Sequence, residues 1–439
     1  MEIPIDFYRL SNGLLVTLSE DHTAPIVAVN LWYHVGSANE RPGRTGFAHL
    51  FEHMLFQGSA HVEANEHFEL VQRAGGTLNG STWLDRTNYF ETLPSHQLPI
   101  ALWLEADRMG CLLPAMTQQK LDTQRDVVKN ERRWSVDNQP YGTWWEKLPE
   151  MVFPEQHPFH HSLIGSLDDL SAASLDDIKQ FFTTFYTPDN AVLTIAGDFD
   201  PGEARHLVED YFAPISRGAP RPALANMSLA SRLGQTRRRR VSDDVVVPRL
   251  FMAFRVPTFG SVDHYVASVC AAVLGMGKGS RLSRSLVRGR QITSDVNAFT
   301  YDLAKSVDLL VIDALARPHV SAELLESEVT SEVDLLRSQG VTATEVERAI
   351  ALIETGFVTT MQQAGERAER LSMFATYFGD PTRLNQEMEG YRSVTADCVN
   401  EFVRDWLGPD NRALLEYVPR DTPSDEAVGA GLTASGKGA

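Results

Sequence analysis

The sequence predicts an α+β chain built as two homologous αβ domains, the second a duplicate of the first. Three observations carry that prediction. At 439 residues the chain is longer than one ordinary hydrophobic core serves. Runs rich in β-branched residues alternate with segments of helical periodicity along its whole length. The order of elements in the first half then recurs in the second, as a duplication requires.

Segments 14–19 and 25–35 read as paired strands around the polar turn Glu20-Asp21-His22. A loop over 36–43 leads into 45–59, TGFAHLFEHMLFQGS, which organises the chain. Its apolar residues go almost all the way round a helix, the pattern of a buried one. The exceptions are His49, Glu52 and His53. At 3.6 residues per turn they fall on one narrow face. Burying them unpaired would cost about 2–7 kcal/mol per polar group, so a divalent metal is the economical partner. The bland alternative is a core helix whose imidazoles bond backbone carbonyls. The H-x-x-E-H spacing is the zinc-peptidase helix in inverted order, with both histidines able to reach one Zn²⁺.

A short helix over 66–74 ends at Gly75-Gly76, 77–92 reads as strand–turn–strand, and 98–112 as an amphipathic helix. The helix over 117–134 carries an apolar stripe through Leu121, Val127 and Val128 that Glu131 continues. On that helix alone, a salt bridge to Arg132, Arg133 or an arginine elsewhere is an equal alternative for Glu131. Helix 174–186, strand 190–197 and helix 202–211 close the first domain, 1–213. A Pro/Ser/Arg-rich stretch makes 214–240 an interdomain linker. The second domain, 241–420, is expected to have strands at 249–255, 294–301, 309–314 and 413–418. Its helices are expected at 264–274, 281–288, 322–338, 343–374 and 396–407. The Gly/Ala/Ser-rich 421–439 reads as a disordered tail.

The net charge of −18 argues against nucleic-acid binding, and the arginine run 237–240 reads as exposed linker or strand start. Cys111, Cys270 and Cys398 are widely spaced and read as free thiols of a reducing compartment, not as zinc ligands. No apolar run approaches a membrane span, and no leader pattern opens the sequence, so a cytoplasmic location is expected. The loop at 275–280 imitates a P-loop, but Ala272 and Gly279 occupy positions where Gly and Ser/Thr are needed.

Five collinear stretches resemble the pitrilysin family of zinc peptidases, and together they span nearly the whole chain. They are Gly36-Ser37…Glu40…Gly43…Gly46 to His53; Gly75-Gly76…Asn79…Thr82…Asp85…Thr87-Asn-Tyr89; Gln124 to Glu131; His157-Pro-Phe159 with Phe185 to Asn190 and Gly197-Asp198; and Ser280-Arg-Leu282. The resemblance implies antiparallel sheets with helices packed on them and one Zn²⁺ per chain, held by His49, His53 and Glu131. It implies Glu52 as general base, with Asn79, Thr82 and Tyr89 binding an extended peptide. Gln124 stands where the family often has a second Glu supporting the ligands. Active relatives also carry an Arg/Tyr pair in the second domain, but Val287 and Ser294 occupy those positions. A one-residue slip offers Arg288, but no Tyr appears before Tyr301. The resemblance therefore implies the catalytic subunit of a heterodimer whose zinc-less partner brings the pair, with leader-peptide processing as one use. The competing readings are a non-enzymatic scaffold subunit and an autonomous homodimeric peptidase.

Overall fold

The computed structural model describes residues 2–222 and 227–420; the tail expected over 421–439 lies outside them. The first sheet contains β1 (Asp6–Arg9), β2 (Leu15–Glu20), β3 (Ile26–Tyr33), β4 (Thr77–Thr82), β5 (Thr87–Pro94) and β6 (Ala191–Gly197), ordered β1-β2-β6-β3-β5-β4. The second contains β7 (Arg237–Asp243), β8 (Arg249–Val256), β9 (Thr293–Tyr301), β10 (Asp308–Ala316) and β11 (Arg412–Pro419), ordered β7-β11-β8-β10-β9. Without β1 the two orders coincide, from β2 and β7 at one side to the edge strands β4 and β9 at the other. Neither sheet is purely antiparallel. β2 with β6 and β7 with β11 are parallel, while every other pair is antiparallel. Each closing strand returns after a long helical crossover, which permits the parallel direction.

A repeated tripeptide marks the duplication at residue level. Pro188-Asp-Asn190 and Pro409-Asp-Asn411 each form one 3₁₀ turn before the closing strand. Asn190 Nδ2 donates to the carbonyls of Phe185 (2.8 Å) and His34 (3.2 Å). Asn411 Nδ2 donates to those of Trp406 (2.9 Å) and Arg255 (2.7 Å). Both amides tie the end of the preceding helix to the end of the central strand, satisfying carbonyls a helix terminus leaves open.

The first half contributes α1 (Phe47–Met54), α2 (Glu66–Arg73), α3 (Leu98–Cys111), α4 (Gln118–Arg132), α5 (Trp144–Val152), α6 (Leu167–Ala172), α7 (Leu175–Phe185) and α8 (Pro201–Phe212). The second contributes α9 (Val262–Gly275), α10 (Ala322–Gln339), α11 (Ala343–Met361), α12 (Ala364–Phe378), α13 (Glu387–Arg392) and α14 (Ala396–Trp406). Each half lends a helix to the other. α12 lies on β3 and β6 of the first sheet, where Ala364 and Ala368 meet Ala28 and Ala196 and allow a close approach. α5 covers β8 and β11 of the second.

That exchange accounts for one departure from expectation. The single helix expected over 343–374 breaks at Gln362-Gln363, where Gln363 is extended (φ −91°, ψ 121°). No Pro marks the break, although Gly365 stands two residues beyond it; α12 is buried on the other sheet, and that burial overrides local helix propensity. The arginine run is the start of strand β7, the second of the two readings given for it, so the stretch expected as linker over 214–240 is strand from Arg237. Its charges meet acids: Arg238 pairs with Glu326 (2.5 Å), Arg240 with Glu416 (3.0 Å), and Arg239 with Glu150.

Candidate metal centre

α1 is buried through Phe47, Leu50, Phe51 and Met54, and its first turn is held by a carboxylate from the preceding loop. Gly46 caps the helix at φ +84°, a left-handed conformation that favours glycine. Glu40 accepts from the N–H of Gly46 (3.0 Å) and of Ala48 (2.8 Å), and its side chain is 0 % exposed. His161 Nε2 donates to Glu40 at 2.9 Å. Burial lifts the Glu40 carboxyl above its ordinary value, although the His161 and backbone bonds pull against that rise. Burial pulls His161 down, but the bond to Glu40 and its charge more than restore it, so its imidazole sits above its ordinary value. Three donors converging on one carboxylate favour its ionised form.

The first turn of α1 thus fixed, His49 and His53 project towards Glu131 near the end of α4. The ligand atoms of the three all lie within 4.8 Å of one another. His49 Nε2 is 3.6 Å and His53 Nε2 3.2 Å from the Glu131 carboxylate. α4 buries Leu121, Gln124 and Val128, and Glu131 continues that row. Val127, expected on the stripe, is 42 % exposed, because neighbouring helical positions diverge by about 100°. The salt-bridge alternative fails: Arg132 is taken by Glu146 (2.5 Å) and Arg133 by Asn130 (2.8 Å). Lys120 Nζ donates to the Gln57 carbonyl (2.6 Å), pinning α4 to the chain leaving α1. Gln124 hydrogen-bonds His53.

The donor set suits a zinc ion. Burial, then the neighbouring His53, holds His49 down at about 4, which keeps its imidazole neutral and able to ligate. For His53, burial is outweighed by the Glu131 bond and nearby carboxylates, and the imidazole is raised. Glu131 is lowered, chiefly by its bond to His53. Two imidazole nitrogens and one carboxylate are donor types that zinc accepts.

Glu52 lies beside this cluster, and burial raises its carboxyl. Its Oε2 accepts from Thr82 Oγ1, while a Cβ at Gly80 would stand 3.2 Å from Oε1. The edge strand β4 therefore runs directly over Glu52, and glycine is what permits the approach. Thr82, expected to bind the peptide, is instead buried, and its hydroxyl is turned inward to hold Glu52. Asn79 is exposed on β4, its Oδ1 accepting from the N–H of Gly80 (2.9 Å). Tyr89 is a correction. It is 0 % exposed, with the Arg108 guanidinium 4.1 Å from its ring centre and Phe56 packed edge-on. Strand alternation turns it into the core and away from any peptide.

Sequence reasoning passed over the Glu40–His161 pair, whose members are 121 residues apart, and the anchor of the β4–β5 hairpin. Arg86 there bonds Asn88 Oδ1 (2.8 Å), and Asn88 Nδ2 donates to Glu369 of α12 (2.7 Å). Tyr377 Oη donates to the buried Asp85 (2.7 Å). In the segment where relatives carry the Arg/Tyr pair, Val287 packs on the second-half core and Ser294 Oγ donates to the Leu315 carbonyl (3.3 Å). Arg288 donates to the Lys278 carbonyl (2.6 Å), and Tyr301 stacks on Trp145 with ring centres 4.2 Å apart. Among the described residues no helix is long and apolar enough to cross a membrane.

Comparison with known proteins agrees with this architecture. Residues 15–159 match the model described as "Insulinase (Peptidase family M16)", and 172–353 that described as "Peptidase M16 inactive domain". The zinc protease PqqE of Helicobacter pylori is 29 % identical over 418 residues, covering 94 % of this chain and 90 % of that protein. An uncharacterised zinc protease of Mycobacterium tuberculosis is 26 % identical over 399 residues, covering 91 % of this chain and 90 % of that protein. Among solved structures, a protease from Helicobacter pylori superposes with a TM-score of 0.89 at 25 % identity, covering 95 % of this chain and all of that one. The first half of the periplasmic protease PqqL of Escherichia coli shares the fold with a TM-score of 0.76 at 18 % identity, covering 96 % of this chain and 93 % of that one. With both family models matched in order and two sheets of repeated topology, the chain belongs to the M16 family of zinc peptidases, the pitrilysin family its motifs resemble.

Proposed function

We propose that this chain is a zinc-dependent endopeptidase subunit that hydrolyses peptides or unfolded segments. His49, His53 and Glu131 hold one Zn²⁺, and Glu52 is the general base. The observation that carries the reading is the convergence of those three ligands beside a buried carboxylate, directly under an unpaired sheet edge. Bound there, zinc supplies Lewis-acid polarisation of a scissile carbonyl and acidifies water.

The chain's own residues do the rest. Among the described residues β4 pairs only with β5, so its free side can take an extended peptide as an added strand. Asn79, exposed on β4, bonds the peptide backbone. Gly80 lets the peptide approach Glu52, and Thr82 fixes Oε2 so that Oε1 remains free for a proton. Glu52 Oε1 takes the proton of the attacking water and returns it to the leaving amine nitrogen. Gln124 orients His53.

With Val287 and Ser294 at the Arg/Tyr positions, the active species is a heterodimer whose zinc-less partner supplies that pair. Leader-peptide removal is one reaction such a pair would serve. The same two residues support a second reading, a non-enzymatic scaffold. A quenched fluorescent peptide separates them. The zinc-loaded chain alone should be nearly silent, and adding a relative with the Arg/Tyr pair but no H-x-x-E-H should restore chelator-sensitive cleavage. Silence with every such partner would favour the scaffold, and full activity alone would remove the heterodimer.

A further inference from the structure

A second constellation of metal-ligating side chains lies on α3, apart from the α1–α4 centre. Asp107 and Cys111 are four residues apart and share one face of α3. His61 reaches them from the loop that follows α1. One ligand atom from each of the three lies within 4.8 Å of the others, and His61 Nδ1 stands 2.5 Å from Asp107 Oδ1.

We propose that His61, Asp107 and Cys111 form a second cation site, for a thiophilic divalent ion of the zinc or cadmium type. Imidazole nitrogen, carboxylate oxygen and thiolate sulfur are all ligands that zinc accepts, and the sulfur selects against magnesium and calcium. The site is built as ligand sites are. Asp107 is buried, and its other oxygen, Oδ2, accepts from Ser59 Oγ, which fixes the carboxylate's orientation. The N–H of Ala60 donates to the Cys111 carbonyl at 2.9 Å, so the backbone itself sets the spacing between the loop and α3. A cavity of about 640 Å³, lined in part by Trp103, Asp107 and Cys111, adjoins the cluster, and the His61 side chain is 62 % exposed. An ion therefore has an entry path and room for a water as fourth ligand.

On binding, the Cys111 thiol gives up its proton to solvent and the sulfur bonds the ion, with no change of oxidation state. The ion replaces the His61–Asp107 hydrogen bond and ties loop 59–62 to α3. If the cluster is only a hydrogen-bonded clamp, the Cys111 thiol keeps its proton and its contact with Asp107. The spacing of three cysteines along the chain excluded them as a set of zinc ligands, but a mixed site needs only one of them.

Cobalt(II) titration of the full-length Glu131→Gln protein, in which the α1–α4 centre has lost a ligand, tests this independently of any peptidase activity. One equivalent should develop a near-ultraviolet sulfur-to-cobalt charge-transfer band. Adding Cys111→Ser should abolish the band, and adding His61→Ala should weaken binding at least tenfold. Should Glu131→Gln fold poorly, the parent should bind two zinc ions per chain and Cys111→Ser one. Absence of the band in a folded protein, its persistence in Cys111→Ser, or one zinc per chain in both proteins would overturn the proposal.

Discussion

Replacing Glu40, which holds the start of α1, should damage both the fold and the proposed metal centre. Its carboxylate is wholly buried and takes the N–H groups of Gly46 and Ala48 at the start of α1, together with His161 Nε2. Each buried N–H left without an acceptor costs about 1–3 kcal/mol, and His161 Nε2 keeps only the Ser37 carbonyl at 3.0 Å. Glu40→Ala should therefore cost about 3–5 kcal/mol. Glu40→Gln keeps one acceptor but turns an amide N–H towards a backbone donor, at about 2 kcal/mol. Because α1 carries two of the three ligands, loosening its first turn should weaken zinc binding by about tenfold even in the folded Gln variant. Urea denaturation of the apoprotein gives the first number and competition with a chromophoric chelator the second. A Glu40→Gln protein with parental stability and parental zinc affinity would refute the reasoning.

Further outcomes follow from other contacts. Arg281 grips Glu345 through two bonds of 2.7 and 2.8 Å and holds its carboxyl at about 2. A folded-state value below the unfolded one stabilises above about pH 4.5, and that stability is lost as pH falls towards 2. Arg281→Ala should remove about 1–2 kcal/mol at neutral pH, the pair being partly open to solvent, and flatten the acid limb of a denaturation–pH series. Tyr377→Phe leaves the buried Asp85 without its hydroxyl donor and should cost about 1–3 kcal/mol in thermal unfolding. Gly80→Ala forces a Cβ to within 3.2 Å of Glu52 and Phe56. It should cut peptide turnover at least tenfold while zinc affinity stays parental.

The polar face of α1 was legible because its chemistry is local: three polar groups on one face of an otherwise apolar segment have few physical explanations. Glu131 was half legible. Its place on the α4 stripe demanded a partner, but only the fold shows that Arg132 and Arg133 turn elsewhere. Tyr89 misled because matching a motif says nothing about which face of β5 a residue takes, and its ring faces the core. Glu40–His161, Asp85–Tyr377 and the alanine seam of α12 join residues far apart in sequence. No periodicity records such pairs. The break at Gln362-Gln363 was invisible for a related reason, since its cause is the distant sheet that α12 covers. The Pro-Asp-Asn repeat, by contrast, stood in plain sight and would have located both closing strands.

The assignment of two neighbouring carboxylates to different tasks is the centre of the account, and Glu52→Gln tests it most directly. Peptide turnover by this variant should be measured at saturating zinc, with a complementing Arg/Tyr partner present. A loss of about 10²–10⁴-fold is expected in a protein that still binds zinc as the parent does. Turnover at the parental rate would contradict it and remove Glu52 from the chemistry.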